Sequence, residues 1–134
     1  MHASCVAIGG CAVLIAGESG AGKSDLALRL IDRGAMLVSD DQVLLSAEGD
    51  RLLAAAPETI AGQMEVRGIG IVAMSHRSPM PVALLIDLAA PERMPEPRHR
   101  TLCGVAVPAI SLAPFEASAP IKAELALRDW GLEA

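Results

Sequence analysis

Apolar residues recur along this chain in two rhythms. Cys5-Val6-Ala7-Ile8 and Cys11-Ala12-Val13-Leu14-Ile15-Ala16 are continuous apolar runs on either side of Gly9-Gly10, the pattern of two strands joined by a tight glycine turn. The second run feeds directly into Gly17-Glu18-Ser19-Gly20-Ala21-Gly22-Lys23-Ser24. The rhythm then changes. Leu26, Ala27, Leu30 and Ile31 recur at helical spacing, which predicts a helix over Ser24 to Arg33. Asp25 in its first turn and Arg33 in its last complement the helix dipole, and Gly34 is placed to cap it.

The remainder reads as short strands. Ala35 to Ser39 is a buried strand ending in Asp40-Asp41. Val43 to Ala47 and Leu52 to Ala56 flank Glu48-Gly49-Asp50 as a hairpin, and Ile69 to Met74 and Val82 to Ile86 add two more strands. Pro91 to Pro97 holds three prolines and predicts a loop. Val105 to Leu112 predicts a strand in which Pro108 implies an edge or a bulge. Pro120 opens a last helix of about ten residues, with Ile121 and Leu125 on its apolar face. Strict strand–helix alternation is missing, so the pattern predicts a mixed α/β fold with antiparallel pieces around a strand–loop–helix unit. A length of 134 residues makes residues 1–134 a single domain.

Composition narrows the functional classes. Phe115 and Trp130 are the only aromatic residues in a chain that is 52% hydrophobic, so the core is aliphatic and a row of base-stacking rings is excluded. A net charge of -5 argues against a nucleic-acid binder, which needs basic patches. It leaves room for a compact phosphate site built from backbone N–H groups and one lysine. Cys5, Cys11 and Cys103 form no C-x-x-C pair and are odd in number, which reads as free thiols in a reducing cytoplasm. The longest apolar stretch, Cys5 to Ala16, is broken by two glycines and is too short to span a bilayer, and no basic-then-apolar leader opens the chain. The expectation is a cytoplasmic protein without membrane contact.

The segment Gly17 to Ser24 matches G-x-x-x-x-G-K-[ST] in full. Its glycines let consecutive backbone N–H groups point inward at a phosphate, together with the helix N-terminus. Lys23 supplies charge for the terminal phosphates, and the Ser24 hydroxyl is a magnesium ligand. Gly17, Glu18, Ser19, Gly20, Ala21, Gly22, Lys23 and Ser24 are therefore the expected binding site for ATP with Mg2+. A triphosphate site also needs acids to hold the metal and orient the attacking group. The candidates are Asp40-Asp41, Glu65 in Met64-Glu65-Val66-Arg67-Gly68-Ile69-Gly70, and Asp87, which ends Leu84-Leu85-Ile86-Asp87 in the shape of a Walker B strand. Consecutive strand residues face opposite ways, so one of Asp40 and Asp41 is expected to face the site, and Asp41 is the choice.

Several of these motifs occur in the same order as in the HPr kinase/phosphorylases, and the chain resembles their C-terminal catalytic domain. The resemblance rests on His2, on Gly-Glu-Ser-Gly-Ala-Gly-Lys-Ser, on Leu37-Val38-Ser39-Asp40-Asp41 and on Glu65-Val66-Arg67-Gly68-Ile69-Gly70-Ile71. It spans Met1 to about Met74. It implies a P-loop mixed sheet of the HPr kinase and phosphoenolpyruvate carboxykinase type. It implies a Mg-ATP-dependent serine kinase whose partner is the phosphocarrier HPr, with reverse phosphorolysis left open. In it Asp41 accepts the seryl proton, Lys23 contacts the phosphates, Ser24 and Glu65 hold magnesium, and His2 is the active-site histidine. Arg93, in Pro91-Glu92-Arg93-Met94, matches a later catalytic arginine. The longer members form hexamers, so the resemblance also implies a homo-oligomer. Two departures stand out. The family's N-terminal domain has no counterpart here, and Ala113-Pro114-Phe115-Glu116-Ala117-Ser118 lacks the arginines of the dephosphorylation loop in longer members.

Two other functions fit the same loop. A small-molecule P-loop kinase would use Asp87 as its Walker B acid and Arg93, Arg98 and Arg100 as a lid. A non-catalytic ATP sensor would bind nucleotide without turnover. A regulatory GTPase is disfavoured because no N-K-x-D segment is present. His76 and His99 have no partner at metal-ligand spacing and read as surface histidines.

Overall fold

The computed structural model describes residues 1–133. Its elements are β1 (Ala3–Ile8), β2 (Cys11–Ala16), α1 (Lys23–Asp32), β3 (Met36–Ser39), β4 (Leu44–Glu48), β5 (Arg51–Ala55), a 3-10 turn (Glu58–Ile60), β6 (Gln63–Val66), β7 (Gly70–Ala73), β8 (Met80–Leu88), β9 (Arg98–Leu102), β10 (Val105–Leu112) and α2 (Ala119–Trp130). The main sheet runs β3-β1-β2-β8-β10-β9, with β5 joined to the start of β8 and β4 to β5. β2, β8 and β10 are parallel, and β1, β3 and β9 run antiparallel to their neighbours. β6 and β7 form a separate two-stranded ribbon. This is the mixed α/β sheet expected from the hydrophobic pattern.

Both faces of the sheet are covered, which is why β2 and β8 read as unbroken apolar runs rather than alternating ones. On one face Val13, Ile15, Leu84, Ile86 and Ile110 pack against Leu26, Ala27 and Leu30 of α1 and Ala119 and Ala123 of α2. On the other, Ala12, Leu14, Leu85 and Val107 pack against Val43, Leu52 and Ala54 around the β4–β5 hairpin. Helix α1 stops where expected. The N–H of Gly34, at φ 110°, bonds the Ile31 carbonyl, and that of Ala35 reaches Leu30, a Schellman closure that a side chain at Gly34 would strain.

Three expectations are corrected. Pro108 does not put β10 at an edge, since β10 lies between β8 and β9. The β8 ladder registers only from Ala109 onward, so at Pro108 that side of the strand is still open. Arg98 and Arg100, expected in an arginine lid, lie instead in the edge strand β9 (Arg98–Leu102), joined to β10 by Cys103-Gly104, both at positive φ. That turn geometry matches the twist of a two-residue hairpin. Helix α2 buries Ala119, Pro120 and Ala123, while Ile121 and Leu125 are each 44% exposed. Small alanines let the helix approach the sheet closely, and this outweighs the larger side chains on the other face. Among the described residues no helix is long and apolar enough to cross a membrane.

Candidate active site

The glycine-rich loop joins β2 to α1. Gly20 and Gly22 take φ 81° and 103°, values that other residues resist. Gly17 is needed for space, because a Cβ there would lie 3.1 Å from the Ala21 Cβ and 3.2 Å from the Leu88 Cβ. No side chain caps the first turn of α1, so its amide donors remain available to an anion. Lys23 is 6% exposed, and its ammonium bonds the carbonyls of Gly17 at 3.0 Å and Glu18 at 3.1 Å. Among the described residues no carboxylate pairs with it, so its charge stays available to a ligand in the loop.

A cavity of about 600 Å³ opens beside this loop, with His2, Lys23, Ser24, Asp40, Asp41 and Glu65 among its lining residues. Asp40 and Asp41 both reach it, contrary to the expectation that one would turn away. The alternation of β3 ends at Ser39, and Asp41 takes the left-handed conformation at φ 69°, so strand alternation no longer turns its side chain away from the one before it. Their surroundings differ. Asp40 is 8% exposed, and its Oδ1 accepts the Ser24 hydroxyl at 2.7 Å and the Ser4 hydroxyl at 2.9 Å. Asp41 is exposed, and its Oδ1 lies 3.2 Å from His2 Nε2.

His2 is not frayed. The Ala3 N–H bonds the Asp41 carbonyl at 3.1 Å and the Val43 N–H bonds the Met1 carbonyl at 2.9 Å, zipping the residues around His2 onto Asp41–Val43. Gln42 Nε2 lies 3.4 Å from His2 Nδ1. Glu65 comes from the ribbon, where Met64 is buried in the helix-side core and its neighbour Glu65 is exposed at the cavity. The remaining loop residues also line it or form its back wall: Ser19, Gly20 and Gly22 face the cavity, while Gly17, Glu18 and Ala21 border a second cleft behind the loop.

Asp87 lies in that second cleft with Ser111, and its carboxylate is 3.5 Å from Arg100. The acid touching Ser24, the contact a Walker B carboxylate would make, is Asp40. Arg93 sits on the exposed segment between β8 and β9 and lines neither cavity. Arg98 and Arg100 belong to β9 and do not form a lid. His76 and His99 are exposed and line neither cavity.

Sequence reasoning missed Ser4. It is fully buried, donates to Asp40 and accepts the Asp41 N–H at 3.3 Å, so one hydroxyl ties both acids in place. The available signal was a lone hydroxyl inside an apolar strand, which must find a partner when buried. Phe115, given no role from the sequence, also lines the cavity.

The oxygen donors gathered here suit a hard divalent cation better than a thiolate or imidazole metal. Among the described residues no group of three His, Cys, Asp or Glu could hold a metal alone. A cation here would share a hydroxyl and one or two carboxylates with a bound phosphate. Ser24 gives its proton to Asp40 and keeps its oxygen lone pairs for such an ion.

A parallel strand, a glycine-rich loop and a helix N-terminus, with an acid just past the end of β3 on the loop serine, define a phosphate-loop protein. The family model described as HPr Serine kinase C-terminal domain matches residues 1–80, and the chain belongs to that family. The matched stretch contains His2, the loop, both aspartates and Glu65, and leaves Asp87 and Arg93 outside it. A relative named HPr kinase/phosphorylase from Exiguobacterium sp. is 44% identical over 96 residues, 66% of this chain and 31% of its own length. One of the same name from Clostridium botulinum is 44% identical over 72 residues, 54% of this chain and 24% of its own. The chain thus spans about a third or less of these relatives. The solved Hpr(Ser) kinase/phosphatase of Coxiella burnetii superposes with a TM-score of 0.84 at 33% identity, covering 96% of this chain and 93% of that one.

Proposed function

We propose that this chain is a Mg-ATP-dependent protein kinase that phosphorylates a serine of the phosphocarrier HPr. The observation that carries the reading is the pairing of Ser24 with buried Asp40 beside an exposed Asp41, with the Lys23 ammonium held on the carbonyls of the glycine-rich loop. The names of the relatives supply the substrate. In this reading the loop amides and Lys23 hold the β- and γ-phosphates of ATP. Ser24 and Glu65 hold Mg2+, with Asp40 fixing the Ser24 hydroxyl. Bound magnesium offsets the negative charge of the phosphates and of the transition state.

The seryl oxygen attacks the γ-phosphorus, the bond from that phosphorus to the β,γ-bridging oxygen breaks, and ADP departs with the bond's electron pair. Asp41 receives the hydroxyl proton, since a seryl hydroxyl is a poor nucleophile until a neighbouring base accepts it. His2, itself contacted by Gln42, holds the Asp41 carboxylate in position. Arg93, in the proline-rich segment between β8 and β9, is assigned the later catalytic arginine role by the resemblance alone. Reverse phosphorolysis would use the same groups with inorganic phosphate as acceptor. The setting we assign is the cytoplasm, as a homo-oligomer without nucleic-acid partners, in keeping with a net charge of -5.

The test is incubation with Mg-ATP and purified HPr, read by intact mass. We expect one phosphate on HPr with the native chain and none with Asp41→Asn. No phosphate on HPr while ATP still binds would overturn the protein-kinase reading in favour of a sensor. Transfer to small metabolites instead would favour the small-molecule kinase, although Asp87, paired with Arg100 behind the loop, is poorly placed to serve it.

A further inference from the structure

Phe115 is the sole phenylalanine of the chain, and 71% of it is exposed. An exposed ring forgoes burial, yet this one is held in place rather than left on a free loop. Arg29 of α1 donates to the carbonyls on either side of it, Nη1 to Glu116 at 3.1 Å and Nη2 to Pro114. Arg29 Nε also lies 3.0 Å from Asp25 Oδ2, an ionic contact without hydrogen-bond geometry. Glu116 is held again, by Lys122 Nζ at 3.0 Å, and its carbonyl accepts the Ala119 N–H at 3.0 Å. The ring thereby rests against Gly22, where a Cβ would come within 3.0 Å of its Cε1 and Cζ atoms.

That placement puts the ring at the end of the phosphate loop where α1 begins. The cavity continues past the loop along Asp25 and Leu28, with Phe115 among its walls. Phosphates seated on Gly20 to Ser24 would leave that part of the cavity for the rest of the ligand. A flat apolar ring there, clamped on both flanks, has one chemical use that an exposed aliphatic group would not serve as well, which is to stack on another flat ring.

We propose that Phe115 is the platform on which the purine base of the bound nucleotide stacks, and that Arg29 is the positioning residue that holds the platform. The proposal rests on the reading of Gly17–Ser24 as a nucleotide phosphate site. It assigns the base end of the ligand to the β10–α2 connection, outside the segment of the chain that the family model matches.

The experiment is calorimetric titration of the full chain with Mg-ATP and, separately, with magnesium tripolyphosphate, which has the phosphates and no base. Phe115→Ala should weaken ATP about 5- to 150-fold, the range for losing one base–aromatic stack, and leave tripolyphosphate affinity unchanged. Phe115→Trp should retain ATP affinity. Arg29→Met should weaken ATP in the same direction with tripolyphosphate spared. Thermal melts of each variant verify folding, which an exposed ring should not affect. Unchanged ATP affinity in Phe115→Ala overturns the proposal, and so does a parallel loss of both ligands, which would mean that the ring only shapes the loop. If neither ligand binds the native chain, or if Lys23→Ala leaves both unchanged, the phosphate-site reading fails and the stacking proposal falls with it.

Discussion

At the scale of single residues, the two adjacent aspartates have separate tasks because one is buried and the other is not. Asp40 accepts two hydroxyls on one oxygen, and Asp41 faces solvent beside His2. Asp40→Asn and Ser4→Ala should therefore act through binding and stability. Ser4→Ala leaves Asp40 one hydrogen bond short and the Asp41 N–H without its acceptor, a cost of about 1–3 kcal/mol. Asp40→Asn should weaken Mg-ATP by roughly tenfold or more, the scale of a hydrogen bond to a charged group. Asp41→Asn should leave ATP affinity in place and lower the phosphotransfer rate by about 10²–10⁴, the usual contribution of a general base. Calorimetry alongside single-turnover kinetics separates the two. A rate loss for Asp40→Asn at saturating nucleotide, with Asp41→Asn active, would reverse the assignment. The sequence showed that acids were present at these positions. It did not show which one would be buried, because that depends on Ser4 and Ser24 arriving from other elements.

At the scale of elements, local rules worked where partners are local. The helix after the loop, its Gly34 closure and the β1–β2 and β4–β5 hairpins were all legible from spacing and turn residues. Local rules failed for α2 and β9, whose character comes from what they pack on. The buried face of α2 predicts that Ala123→Leu, which inserts bulk between helix and sheet, destabilises by about 1–3 kcal/mol. Ile121→Ala on the open face should change stability by less than about 0.5 kcal/mol. Urea unfolding of both variants checks this, and the reverse order would restore the face that periodicity favoured. β9 carries Arg98, His99 and Arg100, too polar to read as a strand. It exists because the Cys103-Gly104 turn folds it back on β10, and its charged side chains are of the kind that blunt an exposed sheet edge.

At the scale of the whole molecule, a closed aliphatic core on both faces of one sheet gives the phosphate loop a rigid base. Cys5 reports on that core. It is fully buried, and burial pushes its thiol pKa up. The native thiol then keeps its proton to a higher pH than the unfolded one, so its contribution to stability is intact below the ordinary thiol range and declines as pH rises beyond about 8.5. Between about pH 7 and about pH 10 the native chain should lose more urea stability than Cys5→Ala does. Native-state alkylation should modify exposed Cys103 first and spare Cys5 until unfolding. Equal loss in both chains, or early labelling of Cys5, would show that the core is open there. The sequence by itself determined the chemistry of Gly17–Ser24 and the kinds of local element around it, because a loop's glycines, a helix's spacing and a hairpin's turn act over a few neighbouring residues. Only the tertiary structure decided that Asp40 and not Asp87 meets Ser24, that Ser4 joins the two aspartates, that Arg93 stays outside the cavity and that Phe115 lies over Gly22. Each of those contacts joins segments distant in the chain, and the strand order and the burial of side chains bring them together.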